Sequence, residues 1–128
     1  HGIRIDASDC PDLVPILSVA AALAKGTTEI IHAERLRLKE CDRLKAMASE
    51  LTKMGAHVEE RPDGLIIRGV PMLHGAGADS WNDHRVAMSL AIAATRSDGP
   101  VILTGSESVQ KSYPQFWQDY ESLGGKIK

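Results

Sequence analysis

The residues best suited to chemistry lie together in one short charged segment. Lys39, Glu40, Asp42 and Arg43 fall within five residues, directly before a stretch whose apolar residues recur at helical spacing. We therefore expect them in the first turn of a helix, where Lys39 and Arg43, four residues apart, would repel each other and oppose the helix dipole. A bound anion at the helix N-terminus would relieve both penalties. The same spacing also fits an ordinary solvated cluster of salt bridges.

Other polar residues stand at or just before the starts of further predicted helices. Asp12 follows Pro11, a residue favoured in the first helical turn, while His84 and Arg85 begin another helix and Lys111 precedes a third. If the fold repeats, equivalent helix starts should face one surface. The residues expected on that surface are Asp12, Lys39, Glu40, Arg43, Arg85 and Lys111. Taken singly, each also fits a structural role, such as a first-turn aspartate or a loop lysine.

Such a cluster would combine four cations with two carboxylates. Arginine forks bind planar oxyanions in a bidentate manner and lysine acts as a point charge, so the cations suit a ligand with a phosphate and a carboxylate. Two carboxylates in different surroundings could act as base and acid. The sequence therefore predicts an anion site able to transfer protons.

The elements that must position these residues repeat along the chain. Strands are expected at 3–6, 27–31, 57–60, 65–68, 101–104 and from Gly125 onward, and helices at 13–24, 44–54, 83–95 and 113–123. Pro62, Asp63 and Gly64 predict a hairpin turn between the third and fourth strands. An offset of 73 residues places Asp6 on Asp79, Leu17 on Leu90 and Gly26 on Gly99, which indicates an internal repeat. We predict a βαβαββ unit at 1–70 and a second at 71–128, truncated at its last strand.

The hydrophobic pattern predicts a mixed α/β (α+β) fold with buried helices and outer sheets. The first helix of each unit is apolar nearly all round, whereas the strands alternate, and a helix without a polar face is a buried one. The helix at 44–54 is amphipathic instead, with Lys45, Ser49, Glu50 and Lys53 on its polar face.

Composition excludes several classes of protein. With 128 residues and 43% hydrophobic content, we expect one domain or two small subdomains. A net charge of −2 gives nucleic-acid binding little support. Cys10 and Cys41 lack metal or redox spacing, so we expect reduced thiols, no metal and no cofactor in a cytoplasmic protein. No apolar run is long enough for a bilayer, and a chain starting at His1 is expected to be part of something longer.

Read together, three motifs resemble the C-terminal part of 5-enolpyruvylshikimate-3-phosphate (EPSP) synthases. They are R-L-K-E-C-D-R-L at 37–44, N-D-H-R-V-A-M at 82–88 and Q-K-S-Y-P at 110–114, and P-D-L-V-P at 11–15 is similar as well. The resemblance implies an inside-out α/β barrel lobe of βαβαββ units, with 1–128 forming part of the C-terminal lobe. It also implies enolpyruvyl transfer from phosphoenolpyruvate to the 5-hydroxyl of shikimate 3-phosphate. Cys41 stands where the family usually has Ser or Thr.

The resemblance further implies a role for each site residue. Asp12 would be the base at the 5-hydroxyl and Glu40 the acid that protonates the methylene carbon. Lys39 would contact shikimate 3-phosphate, and His84 would be a near neighbour. Arg43, Arg85 and Lys111 would bind phosphoenolpyruvate, where the herbicide glyphosate competes. Because the N-terminal lobe that completes the site is missing, the chain alone is expected to be inactive.

Two alternatives stay open from the sequence. One is an enzyme similar to the UDP-N-acetylglucosamine enolpyruvyl transferases, which the K-E-C-D-R and D-H-R-V-A-M motifs disfavour. The other is an anion-binding module without chemistry, which would need the cations but not Asp12 and Glu40.

Overall fold

A computed structural model describes residues 3–39, 41–125 and 127, with Lys111 described by its backbone alone. Its first half has a βαβαββ order of elements. These are β1 (Arg4–Asp6), α1 (Val14–Leu23), β2 (Thr27–Ile31), α2 (Arg43–Lys53), β3 (His57–Arg61) and β4 (Gly64–Arg68). The second half continues with β5 (Gly77–Asp79), α3 (His84–Ala94), β6 (Ile102–Thr104) and α4 (Phe116–Ser122). Short 3₁₀ helices at Pro11–Leu13, Glu34–Leu38 and Ser106–Lys111 precede α1, α2 and α4.

The strands of the described residues form two sheets. The first has the order β1-β2-β4-β3, with β1 parallel to β2 and the other pairs antiparallel, and Ile30 pairs with Ile5 on one side and Leu65 on the other. The second sheet pairs β5 with β6 in parallel, Ala78 opposite Leu103. Each half therefore begins with a strand, a crossover helix and a parallel strand, as expected for this connection.

The core lies between the first sheet and the helices. Ile30, Leu65 and Ile67 turn their side chains from the sheet onto α1 and α2, and all three are buried. Helix α1 also packs against α3, as α2 does. Burying each such side chain contributes about 1.5–3 kcal/mol, so this packing is what holds the helix starts in register.

The two most apolar helices are buried less completely than the sequence predicts. Ile16 of α1 and Ile92 of α3 are 37% and 42% exposed, and both line a shallow cleft between these helices. Apolar composition identifies helices that pack in a core, but it does not show that every side has a neighbour within the chain.

Other element boundaries differ in ways that have local causes. Helix α4 begins at Phe116 rather than at 113, because a residue before proline, here Tyr113 before Pro114, disfavours helical backbone. The strand expected from Gly125 onward falls largely outside the described residues, which there include only Gly125 and Ile127. Among the described residues, no helix combines the length and apolar character needed to cross a bilayer.

Gly64, the first residue of β4, provides a test of the sheet packing. A Cβ added there would lie 1.8 Å from the Ile30 carbonyl oxygen of β2, so the strands would have to separate. We expect Gly64→Ala to lower the free energy of unfolding by about 1–3 kcal/mol, the usual cost of overpacking. Urea unfolding followed by circular dichroism measures the change.

Gly77→Ala is the matched control, because Gly77 is also the first residue of a strand but a Cβ there meets no atom within 4 Å. We expect its free energy of unfolding to stay the same or rise by about 0.4–1 kcal/mol. Equal losses in the two variants would contradict the assigned strand contacts.

Candidate anion-binding site

Three cations from two segments of the chain converge on one carboxylate. Asp12, in the 3₁₀ turn before α1, lies 3.2 Å from Arg43 Nη1 and 3.7 Å from Lys39 Nζ through Oδ1, and 4.0 Å from Arg85 Nη2 through Oδ2. The side chain of Asp12 is 49% exposed, that of Lys39 is 33% exposed and that of Arg85 is 40% exposed. The starts of α1, α2 and α3 therefore face one open surface.

Arg43 is the buried member of this group. Its guanidinium, only 2% exposed, donates from Nε to Oδ2 of Asp83 at 2.8 Å, and Asp83 is fully buried. Asp83 also caps α3, since its Oδ1 accepts from the backbone N–H groups of Arg85 at 2.8 Å and Val86 at 3.2 Å. The Asp83 carboxylate thus holds both Arg43 and the start of α3, the helix that carries Arg85.

The surroundings of Asp83 favour its charged form. Burial raises the pKa of the carboxyl, but the hydrogen bond and charge of Arg43 and the N–H groups of Val86 and Arg85 outweigh it, so the pKa lies below its usual range. Because the Asp83 carboxylate is buried and both its oxygens accept hydrogen bonds from these partners, Asp83 has a structural role rather than one at the exposed surface.

Cys41 is held beside this pair as a neutral thiol. Its Sγ donates to Asp83 Oδ2 at 3.5 Å, and burial together with the negative charge of Asp83 raises the pKa of the thiol to about 12. A thiol protonated at neutral pH is a weak nucleophile, so Cys41 acts here as a small hydrogen-bond donor. Both cysteines are free, as the sequence predicts.

The expected position of the charged segment in the first turn of a helix is wrong. Helix α2 begins only at Arg43, with Asp42 as its N-cap accepting from the Lys45 N–H at 3.1 Å. Lys39 precedes the helix in extended backbone, so the predicted repulsion between Lys39 and Arg43 as helical neighbours does not arise. Asp42 is in turn held by Arg37, whose Nη1 donates to it at 2.7 Å and to Glu60 of β3 at 2.8 Å.

The structure brings together four of the predicted site residues, namely Asp12, Lys39, Arg43 and Arg85. His84, the first residue of α3, directly precedes Arg85 and is partly buried. Glu40 and the side chain of Lys111 lie outside the described residues. The backbone of Lys111 ends the 3₁₀ helix Ser106–Lys111, which packs against α3.

Sequence reasoning missed two buried carboxylates. Asp83 stands three residues before Val86, where an apolar run begins, a spacing that fits an N-cap, but at the repeat offset it falls opposite Cys10 and so had no counterpart. Glu50 was expected on the polar face of α2, yet its side chain is 2% exposed because β5 and α3 pack over that side of the helix. Helical periodicity alone does not show which faces a helix buries.

The fold and the site together define a mixed α/β domain with three cations gathered around one carboxylate at its helix starts. The family model for EPSP synthase (3-phosphoshikimate 1-carboxyvinyltransferase) matches residues 1–120, and the chain therefore belongs to the EPSP synthase family. This confirms the predicted family and the mixed α/β fold class.

Individual relatives agree with this assignment. The chain is 62% identical over 127 residues to 3-phosphoshikimate 1-carboxyvinyltransferase of Clostridium novyi (strain NT), covering 99% of this chain and 29% of that protein. It is 63% identical over 127 residues to the Clostridium acetobutylicum protein of the same name, covering 99% of this chain and 30% of that protein. An EPSP synthase structure from Acinetobacter baumannii matches with a TM-score of 0.84 and 37% identity, over 89% of this chain and 27% of that one. The chain thus spans about 30% of the length of these curated relatives.

Asp83→Asn tests the buried ion pair. Asn can still accept from the α3 N–H groups but puts a neutral group where Arg43 now meets a charge, so we expect a loss of about 3–5 kcal/mol in the free energy of unfolding at pH 7. Urea unfolding measures the loss. Asp63→Asn, in the exposed hairpin turn, is the control and should have little effect.

The pH dependence of the same two variants gives a second measurement of this pair. Because the folded pKa of Asp83 lies below the unfolded value of about 3.9, its stabilisation is present above that pH and is lost as the pH falls through the folded pKa. The stability of Asp83→Asn should therefore fall less steeply below about pH 4 than that of Asp63→Asn. Parallel curves would contradict the assigned pair.

Proposed function

We propose that this chain forms one side of the active site of a 3-phosphoshikimate 1-carboxyvinyltransferase. That reaction transfers the enolpyruvyl group of phosphoenolpyruvate to the 5-hydroxyl of shikimate 3-phosphate and releases phosphate. The observation that carries the proposal is the half-exposed carboxylate of Asp12, within 3.2–4.0 Å of Lys39, Arg43 and Arg85. The chain's membership of the EPSP synthase family supports it.

The charge balance supports an anionic ligand of modest intrinsic affinity. Among the described residues, three cations (Lys39, Arg43, Arg85) face two carboxylates (Asp12, Asp83), which leaves a formal charge of 3 − 2 = +1. The buried Asp83 makes the cluster less positive than the sequence predicts. Tight binding of phosphoenolpyruvate would therefore depend on further contacts from the rest of a complete enzyme.

In this proposal Asp12 and Glu40 transfer the protons. Asp12 accepts the proton of the 5-hydroxyl, since its carboxylate is exposed and is oriented by cations on both oxygens. Glu40 delivers a proton to the methylene carbon. Both roles rest on the family resemblance of the surrounding motifs.

The cations hold the substrates. Arg43, Arg85 and Lys111 bind phosphoenolpyruvate and Lys39 contacts shikimate 3-phosphate, with His84 as a neighbour of the site. We propose that the reaction needs no cofactor and no metal, because the motifs supply its acids and cations. We also propose that the protein is cytoplasmic and binds neither nucleic acid nor membrane, because its acidic and basic residues nearly balance. The remaining partner would be the rest of the enzyme, including the N-terminal lobe.

A chimera tests the proposed function directly. Residues 1–128 would replace the matching segment of the Clostridium acetobutylicum relative, which is 63% identical over 127 residues. We expect phosphate release that depends on both phosphoenolpyruvate and shikimate 3-phosphate. A folded chimera without turnover that still binds phosphate would favour the anion-binding module instead.

Arg85→Ala in this chimera tests the anion site, because Arg85 is partly exposed and its loss leaves no buried charge unpaired. We expect phosphoenolpyruvate binding to weaken by about 1.5–3 kcal/mol, the range for a charged hydrogen-bond partner. Arg96→Ala, exposed beyond the other end of α3, is the control and should bind normally. If Arg85→Ala and Arg96→Ala bind phosphoenolpyruvate with equal affinity, the anion binds elsewhere. The same loss is expected for Arg43→Ala and Lys111→Ala, although Arg43→Ala also removes the cation paired with Asp83.

Glu40→Gln in the chimera tests the proposed acid. Gln keeps the size of the side chain but has no carboxyl proton, so we expect kcat to fall by roughly 10²- to 10⁴-fold with a modest change in KM. Glu34→Gln, at an exposed position of the 3₁₀ helix Glu34–Leu38, should retain normal turnover. Near-full activity of the Glu40 variant would remove Glu40 from the mechanism and make Lys111 the acid to test next.

A further inference from the structure

Glu50 is a buried carboxylate that the proposed mechanism does not use. It lies on α2, and its side chain is only 2% exposed. Its Oε1 accepts from the Asp79 backbone N–H at 2.8 Å, and its Oε2 accepts from the Trp81 indole Nε1–H at 3.0 Å. Lys53 donates to both oxygens, at 3.0 and 3.1 Å, from the solvent side.

These contacts keep Glu50 ionised. Burial raises the pKa of its carboxyl, but the hydrogen bonds from Trp81, Asp79 and Lys53 outweigh this, so the pKa lies below its usual range. A buried charge is costly unless its partners are well placed. The cost is met here by Lys53 and by donors from the segment that starts at Asp79, the last residue of β5.

That segment, residues 79–83, leads directly into the anion site and has an unusual backbone. Trp81 and Asn82 have φ values of 57° and 53°, in the left-handed region that non-glycine residues seldom adopt and that is strained for a bulky side chain. The Trp81 N–H also donates to Asp79 Oδ1 at 2.9 Å, and the Asp83 N–H to the Ser80 carbonyl oxygen at 3.1 Å. A strained turn of this kind persists only where its surroundings fix it.

Helix α2 holds this turn at two points through charges of opposite sign. Arg43 and Glu50 are seven residues apart (43 to 50), nearly two helical turns, so they lie on the same side of the helix. Arg43 binds the Asp83 carboxylate at the end of the turn, whereas Glu50 binds Asp79 and Trp81 at its beginning. Together the two contacts fix both the position and the rotation of the α3 start.

We infer that Glu50 is a positioning residue for the anion site: by holding Asp79 and Trp81 it keeps Asp83 where Arg43 binds it and Arg85 where it faces Asp12. Glu50 acts through the turn and contacts no substrate. The inference rests on the proposed function only in taking the cluster around Asp12 as the site that binds the anion.

Glu50→Gln in the 128-residue chain is the principal test, with inorganic phosphate as the probe. Gln offers one carbonyl oxygen to two donors and turns its NH₂ group toward the other, so the turn loses one attachment. We expect the Kd for phosphate to rise about tenfold, the effect of losing one charge-assisted hydrogen bond. Glu59→Gln, on the exposed strand β3, is the matched control and should bind as the unaltered chain does.

Trp81→Phe gives an independent variant that keeps an aromatic ring and removes the indole donor. We expect it to weaken phosphate binding by a smaller factor. In the double variant the NH₂ group introduced by Glu50→Gln no longer faces a donor, so the combined effect should be less than the product of the two single effects. If the two single effects multiply in the double variant, Glu50 and Trp81 do not act through one shared contact. Unchanged phosphate binding by a folded Glu50→Gln chain would overturn the positioning role and leave Glu50 a purely structural one.

Hydrogen exchange separates this inference from the proposed function. The Arg43 Nε–H, bonded to Asp83, should exchange faster in Glu50→Gln relative to the core amides of Leu51 and Leu90, whether or not phosphate binds. If the unaltered chain binds no phosphate, the anion site fails, while faster Nε–H exchange still supports the positioning role. Unchanged relative exchange overturns the inference. Should Glu50→Gln not fold, the same measurement on Trp81→Phe decides.

Discussion

The buried ion pair between Arg43 and Asp83 is the constraint on which the rest of the site depends. Its two side chains are 2% and 0% exposed, with the joining atoms 2.8 Å apart. Removing such charges from water costs several kcal/mol each, and separation of the pair inside the protein would leave both uncompensated. The start of α2 is therefore locked to the start of α3. Because Asp83 also caps α3, one carboxylate sets the orientation of a cation and of a helix at once.

This pair divides the acids of the site by environment. Asp83 is sealed and saturated with hydrogen bonds, whereas Asp12 is half exposed and shared among three cations at longer distances. A buried carboxylate such as Asp83 stabilises the fold, whereas an exposed one such as Asp12 can meet a ligand. The open cleft of about 200 Å³ beside Asp12 and Arg85 is smaller than a typical enclosed ligand pocket. This one-sided surface fits a chain that spans about 30% of the length of its relatives.

Much of the fold could be predicted because its signals are local. The strand Thr27–Ile31 follows from its β-branched residues, and helix α3 (His84–Ala94) from its run of apolar residues. The predicted hairpin turn at Pro62 and Asp63 also joins β3 and β4 as observed. The sequence was less informative about burial. Glu50 looks solvent-facing by helical period, yet β5 and α3 cover it, because burial depends on segments far away in the chain.

The sequence by itself determined which residue types stand at the helix starts and which family its motifs resemble, and it predicts an internal repeat. Those properties reside in neighbouring residues, where spacing and propensity act. Only the tertiary structure decided how the charges pair. Arg43 binds a carboxylate 40 residues away, and Lys39 lies before α2 rather than within it. Electrostatic pairing is set by distance and burial in space, and a linear sequence contains several carboxylates that could equally have served as the buried partner of Arg43.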